Sequence, residues 1–163
     1  MTDADDICVL DSPVGRLRAE FAGGTLLRLG WTRQPTVAPA SAAARALAAE
    51  LAAYFAGELR RFAVPADPRG TPFQRALWDA MVAIPYGETR SYGAVAAELG
   101  ASARAVGTAC GDNPIPIVVP CHRILAADGM GGYSGRGGLA TKRALLRLEG
   151  ARMPAEQLDL PLG

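Results

Sequence analysis

Histidine is almost missing from this chain: His122 is the single one in 163 residues, and cysteine occurs only at Cys8, Cys110 and Cys121. One histidine and no CxxC pair leave too few ligands for a Cys/His zinc site. Three cysteines, scarce and odd in number, exclude a disulfide framework and fit a reducing compartment, so a cytoplasmic location is expected. No apolar run reaches the roughly eighteen residues that a membrane span requires. The opening "MTDADDICVL" is acidic and lacks the apolar core of a secretory leader. Net charge is also small, a formal +1. Residues 1–70 set eight arginines against eight acids, whereas residues 71–150 set seven arginines and Lys142 against six acids, a net of +2. That mild excess permits a polyanionic partner without demanding one.

Half the residues are hydrophobic, enough for the core of one domain or of two small ones sharing an interface. Residues 7–31 read as a meander of about three strands, broken by Asp11-Ser12-Pro13, Gly15 and Gly23-Gly24. "RQPTVAPAS" (33–41) is a proline-rich loop. The alanine-rich stretch 42–62 is strongly helix-forming, with Gly57 as its stop. "AVPADPRG" (63–70) is the best domain boundary, giving units 1–67 and 68–163. From Thr71 the helix signals sharpen. Thr71, Pro72 and Gln74 form a capping box, and Phe73, Leu77, Ala80, Met81 and Ile84 share one face. Ser91 caps a helix over Tyr92–Leu99, and Gly100 ends it. Ser102 caps another over Ala103–Cys110, stopped by Gly111.

Two short helices around a glycine turn are a helix-turn-helix, or an ordinary helix hairpin of a core. The second reads "ARAVGTAC". Ala103, Ala105, Gly107 and Thr108 are small, and only Arg104 is long. Such a helix reads little sequence; against DNA it suits minor-groove, sequence-tolerant contact with one inserted arginine. Close helix packing is the plainer use of small residues. Downstream, "NPIPIVVP" (113–120) reads as a short buried extended segment at a sheet edge or in a loop, with Asn113 fixing a turn. "AADGMGGYSGRGG" (126–138) holds six glycines and reads as a lid or binding loop. The last helix covers 139–150. Glu149 lies at its C-terminus, where the helix dipole disfavours an anion. That placement fits either a solvated surface acid or one held by a local cation such as histidinium.

Cys121 and His122 adjoin within "PCHRIL". A buried cysteine is commonly an inert small hydrophobe. Here Arg123 follows, and positive charge lowers a thiol pKa. Neighbours in extended chain point to opposite faces, so the pair could cooperate only across a sharp turn or through a bridging water.

"NPIPIVVPCHR", together with "TPFQRALWDAMVAIPYGETRSYGAVA", "ARAVGTAC", "GGYSG" and "KRALLRLEG", resembles the methylated-DNA–protein-cysteine methyltransferases, the O6-alkylguanine-DNA alkyltransferases. The likeness is dense over 71–150 and looser over 7–67. It implies an α+β fold: a small ribonuclease-H-like N-terminal domain of β-meander plus helix, then a mostly helical, winged-helix-like C-terminal domain carrying the helix-turn-helix. Cys121 would accept the alkyl group, His122 would act through a water as its base, and Glu149 would hold the histidine. Asn113 would brace the turn before the active-site strand. Arg104 would fill the stack after the target base flips out, with Ser102, Ala103, Ala105, Gly107 and Thr108 against the DNA. Tyr92 would disturb the target phosphate and donate a proton to the departing guanine. Tyr133 and Ser134 would line the base pocket. The expected partner is double-stranded DNA containing O6-alkylguanine, bound by a monomer with no membrane association.

The chemistry fits that inventory. Displacement at a saturated carbon suits a soft thiolate, a positioned donor lets the base leave neutral, and the target must quit the stack. The thioether product has no good leaving group, so the protein acts once, and it needs no cofactor because damaged DNA is the donor. Three departures stand out. "GYSGRGGLATK" is two residues longer than the common "YSGGL" form, Gly111-Asp112 replaces a basic segment, and the N-terminal part has no histidine for the zinc of some relatives. Two other functions compete. Alkyltransferase-like damage sensors replace the cysteine that is present here. A cysteine hydrolase would leave the helix-turn-helix, Arg104 and the glycine loop without a use.

Overall fold

The computed structural model of the chain describes residues 4–154. Strands β1 (Asp6–Leu10), β2 (Leu17–Ala22) and β3 (Thr25–Trp31) form an antiparallel meander in that order. Alternation in β2 buries Leu17, Ala19 and Phe21 and leaves the intervening positions half-buried, as one packed sheet face requires. Helix α1 (Ala42–Phe55) covers the buried face through Ala44, Leu47, Leu51 and Tyr54. It is shorter than its alanine-rich stretch, because Gly57 at φ 78° takes the left-handed conformation just beyond its end.

Residues 63–70 are more than a tether. The Leu26 amide donates to Pro65 O at 2.8 Å and the Asp67 amide to Leu26 O at 2.9 Å, so the segment runs beside β3. The β3 backbone also reaches forward, with the Leu29 amide donating to Pro114 O at 2.9 Å. The segment "NPIPIVVP" therefore begins at the sheet edge, as the sequence suggests, and then closes into a turn.

Helix α2 (Pro72–Val82) starts at the full capping box of Thr71 and Gln74. Its buried face includes Leu77, Ala80 and Met81, with Ile84 just beyond, and Trp78 is buried beside them. Helices α3 (Tyr92–Leu99) and α4 (Ala103–Cys110) occupy the ranges that the caps Ser91 and Ser102 dictate, with Gly100 left-handed at φ 65°. Gly111 ends α4 in right-handed conformation. Two two-residue strands escaped the sequence pattern: β4 (Arg90–Ser91) pairs in parallel with β5 (Ile124–Leu125), tying the start of α3 to the chain just after Cys121. Helix α5 (Leu139–Leu148) closes the described fold, with Glu149 as its C-cap. One buried cluster runs from β2 and α1 through α2, α3 and α4 to Cys121 and Leu145. Among the described residues, no helix is long and apolar enough to cross a membrane.

The capping box makes a local prediction. Thr71→Ala removes the acceptor for the Gln74 amide and should cost about 1 kcal/mol, read as a lower urea midpoint at unchanged slope. An unchanged midpoint would show that the helix start is held by packing alone.

Candidate active site

Asn113 organises the approach to the thiol. Its Nδ2 donates to Val119 O at 2.8 Å, and its Oδ1 accepts from the Ile115 amide at 3.0 Å. The Val119 amide donates to Ile115 O at 2.8 Å. Inside this closed turn Ile117 is buried at φ 76°, a conformation costly for a β-branched side chain. The clasp and the burial of Ile117 hold the backbone there. The chain then enters a single 3-10 turn, Cys121–Arg123. This sharp turn, rather than extended strand, separates the directions of the thiol, the imidazole and the guanidinium.

The imidazole and guanidinium meet on one carboxylate. Glu149 Oε2 accepts from His122 Nε2 at 2.7 Å, from Tyr54 Oη at 2.6 Å and from Arg123 Nη2 at 3.1 Å, while Oε1 accepts from Arg123 Nε at 2.8 Å. Arg123 Nη1 donates its remaining bond to Ile84 O at 2.7 Å. Burial alone would raise the Glu149 carboxyl pKa, but hydrogen bonds from His122, Arg123 and Tyr54 outweigh it and hold the group down to about 2. Burial pushes the His122 pKa down and outweighs the hydrogen bond and charge of Glu149, which push it up; nearby Arg123 and Lys142 add to the lowering. A neutral imidazole beside an acceptor-only carboxylate must carry its hydrogen on Nε2. Nδ1 therefore bears the lone pair, and it is buried without a hydrogen-bond partner among the described residues.

This geometry corrects two expectations. The cation that holds Glu149 is Arg123 and not histidinium. Arg123 consequently spends its charge on Glu149 and does not activate its neighbour Cys121. Burial raises the Cys121 thiol pKa, while an Asn113 side-chain hydrogen bond and the ammonium of Lys142 pull it down. Lys142 is fully buried, with Nζ donating to Ile124 O at 2.7 Å, Met130 O at 2.6 Å and Gly132 O at 3.0 Å. It pins the glycine loop and supplies the positive charge near the thiol, and burial lowers its own pKa to about 8. Sequence reasoning passed over both Lys142 and Tyr54. The one available signal was that Lys142 is the only lysine of a chain with seventeen cationic residues.

A cavity of about 760 Å³ brings several of the other residues together. Cys121, Tyr92, Arg104, Gly107, Tyr133 and Ser134 line it, with Ala103 at the same opening. Cys110 lines it too, but burial and Cys121 push that thiol up to about 12 and keep it protonated. Burial and the two thiols likewise raise the Tyr92 phenol to about 12, so it is a hydrogen donor at neutral pH. Ser102, Ala105 and Thr108 lie outside this cavity, on a neighbouring concavity shared with Thr71 and Phe73. Asp112 lies there as well, with Gln74 Nε2 donating to it at 3.4 Å. His122, Glu149 and Asn113 do not line this cavity. A separate cavity of about 630 Å³, bounded by Arg60, Tyr86 and Val119, contains no thiol or imidazole.

The linkage sign for Glu149 follows from its depressed pKa. The carboxylate's stabilisation is fully present above its ordinary value of 4.5 and is lost as pH falls through about 2. Glu149→Gln leaves Arg123 buried beside a neutral amide and should cost about 3–5 kcal/mol at neutral pH. Its denaturation midpoint should then approach that of the wild type as the buffer is taken from pH 5 toward pH 2. A constant gap across that range would contradict the assignment.

Comparison with known proteins agrees with this constellation. The model of the 6-O-methylguanine DNA methyltransferase DNA-binding domain matches residues 72–151. Methylated-DNA–protein-cysteine methyltransferase of Mycobacterium tuberculosis is 48% identical over 156 residues, covering 90% of this chain and 93% of that protein. Its counterpart in Mycolicibacterium paratuberculosis is 51% identical over 164 residues at the same coverage. The crystal structure of the M. tuberculosis O6-methylguanine methyltransferase superposes with a TM-score of 0.78 at 46% identity, over 92% of this chain and 95% of that one. The M. tuberculosis OGT in complex with DNA gives 0.78 at 48% identity, over 90% and 94%. A thiol set in a cavity lined by α3 and α4, next in sequence to an imidazole held by a buried carboxylate, and this degree of likeness over nearly the whole chain lead to one conclusion: the chain belongs to the methylated-DNA–protein-cysteine methyltransferases, the direct-reversal DNA-repair enzymes.

Proposed function

We propose that this protein repairs O6-alkylguanine in duplex DNA by one irreversible transfer of the alkyl group to Cys121. The observation that carries the reading is the shared cavity: Cys121 lines the same space as Arg104 and Gly107 of α4 and Tyr133 of the glycine loop. A duplex cannot bring an O6 atom to a buried thiol, so the damaged nucleotide leaves the stack and enters that cavity. Arg104, exposed on α4, takes its place in the helix. Ser102, Ala103, Gly107 and Thr108 are exposed and small, and Ala105 is half-buried; the thin surface suits a minor groove and carries little base-edge readout.

The thiol rests protonated, because burial disfavours its anion. The bare Nδ1 of His122 takes its proton through a water, and Glu149 accommodates the charge that His122 gains. The Cys121 sulfur attacks the O6-bound carbon, the S–C bond forms as the C–O bond breaks, and the electron pair goes to guanine. Tyr92, a protonated phenol in the same cavity, donates to the departing base. Asn113 holds the turn that presents Cys121, and Tyr133 and Ser134 wall the base. O4-alkylthymine offers the same kind of bond and is a second substrate. A free thiol acceptor suits a reducing compartment, and we assign the protein to the cytoplasm.

At the level of fold, we assign the three-stranded meander with α1 to a ribonuclease-H-like domain, 1–67, and α3 and α4 to a winged-helix-like domain, 68–163; of these ranges, residues 1–3 and 155–163 lie outside the described residues. The protein works as a monomer.

A fluorescent O6-benzylguanine label should leave one covalent adduct per chain, mapped by peptide mass to Cys121. A damage sensor would leave none, and a hydrolase would turn over an acyl substrate instead. Cys121→Ala should abolish transfer yet keep affinity for methylated duplex within a few-fold, since the thiol adds little to binding; comparable loss of both would contradict that division of labour. Arg104→Ala should slow repair in duplex far more than reaction with the free base, and equal slowing would remove its role in the stack.

A further inference from the structure

The glycine loop is held on two sides, and one of them belongs to the N-terminal sheet. Lys142 grips the loop at Met130 and Gly132 from within. On the other side, Trp31 at the end of β3 meets Tyr133 edge to face, with ring centroids 6.1 Å apart and planes at 87°. Trp31 is itself fixed: its Nε1 donates to Val14 O at 3.0 Å, and Gly15, at φ 117°, lies so close that a Cβ there would sit 3.1 Å from Trp31 Cδ1. Gly135 fits into the angle between the two rings, where a Cβ would come within 2.5 Å of Tyr133 Cε2 and 2.8 Å of the Trp31 ring. Arg136 completes the contact by donating from Nη1 to Thr32 O at 3.2 Å. Arg136 falls in the lengthened part of the loop, "SGRGG", so the extra length is used to reach the sheet.

We propose that Trp31 is a specificity-determining positioning residue: from the N-terminal sheet it sets how far the Tyr133 wall can recede, and so how large an O6 substituent the pocket accepts at full rate. Trp31 does not line the cavity; it acts through Tyr133, which does. The inference rests on the reading above, in which the base enters beside Tyr133 and reacts at Cys121. An edge-to-face aromatic pair of this kind changes an equilibrium by roughly two- to tenfold beyond its burial. Losing it frees the wall. A small methyl lesion then fills the widened pocket poorly, while a benzyl group fills it as well as before.

The test compares single-turnover rates on O6-methylguanine and on O6-benzylguanine in the same oligonucleotide, for the full chain and for Trp31→Ala, Trp31→Leu and Trp31→Phe. The benzyl-to-methyl rate ratio should rise roughly three- to tenfold in the alanine and leucine variants and stay within about twofold of wild type in Trp31→Phe, which keeps an aromatic edge. The reaction of Cys121 with iodoacetamide should keep its pH profile in all three, since Trp31 touches neither the thiol nor Glu149. A ratio unmoved in both the alanine and leucine variants overturns the inference. So does an equal fall of both rates with a lower melting temperature, which would make Trp31 merely structural. Wild-type protein that labels neither substrate at Cys121 would instead remove the underlying reading. Trp31→Leu keeps apolar bulk and decides the matter if the alanine variant does not fold.

Discussion

A carboxylate buried away from water needs donors for its lone pairs, and Glu149 finds them in two separate parts of the chain, so that three elements meet on it. Tyr54 comes from α1, His122 and Arg123 from the turn after the proline-rich segment, and Glu149 itself caps α5. An isolated buried carboxylate would cost several kcal/mol, so each of these elements is constrained to sit where the others require it. The same contacts decide chemistry. Because Arg123 neutralises Glu149, the carboxylate stays ionised while the imidazole stays uncharged. Because Glu149 can only accept, the imidazole hydrogen is fixed on Nε2. A structural ion pair and an imidazole in one tautomer are two consequences of one arrangement.

At the thiol, burial outweighs the groups that favour its anion. Burial resists its ionisation, while Lys142 and Asn113 favour it. A thiol kept protonated at rest resists stray oxidants, and in the proposed reaction His122, held in one orientation, takes its proton. The polar groups that tune it all have firm anchors. Lys142 spends its hydrogens on three carbonyls, and Asn113 spends its amide on the turn it closes. The half-buried, glycine-rich wall opposite is the part most dependent on neighbours, which is why a tryptophan of the N-terminal sheet matters to it.

What the amino-acid string reveals here is divided by distance along the chain. Thr71, Ser91, Ser102 and Gly100 act on backbone within a few residues, so helices α3 and α4 are legible to the residue and α2 at its start. The strand alternation of β2 is legible for the same reason. Arg123 was misread because adjacency to Cys121 suggests a local effect, whereas the 3-10 turn directs it to a carboxylate 26 positions away. Tyr54 looks like one more apolar residue of an alanine-rich helix, and nothing nearby announces that its hydroxyl meets Glu149. Lys142 sits in a helix whose other cations, Arg143 and Arg147, are half-buried and exposed. The strands β4 and β5 are two residues each, too short for any period to show. The residues of the site were picked out largely through the likeness of "PCHR" and its surroundings to a known family; their burial, tautomer and pairing came only with the fold.

The account turns on the protonation state of one imidazole, and the chain's lack of any other histidine makes that state directly measurable. In protein labelled with nitrogen-15 histidine, a long-range proton–nitrogen spectrum contains a single ring. The account predicts a neutral ring with hydrogen on Nε2 and a bare Nδ1 at neutral pH, and the same tautomer well below pH 6.5, the ordinary histidine value. A hydrogen on Nδ1, or a doubly protonated ring at neutral pH, would contradict it.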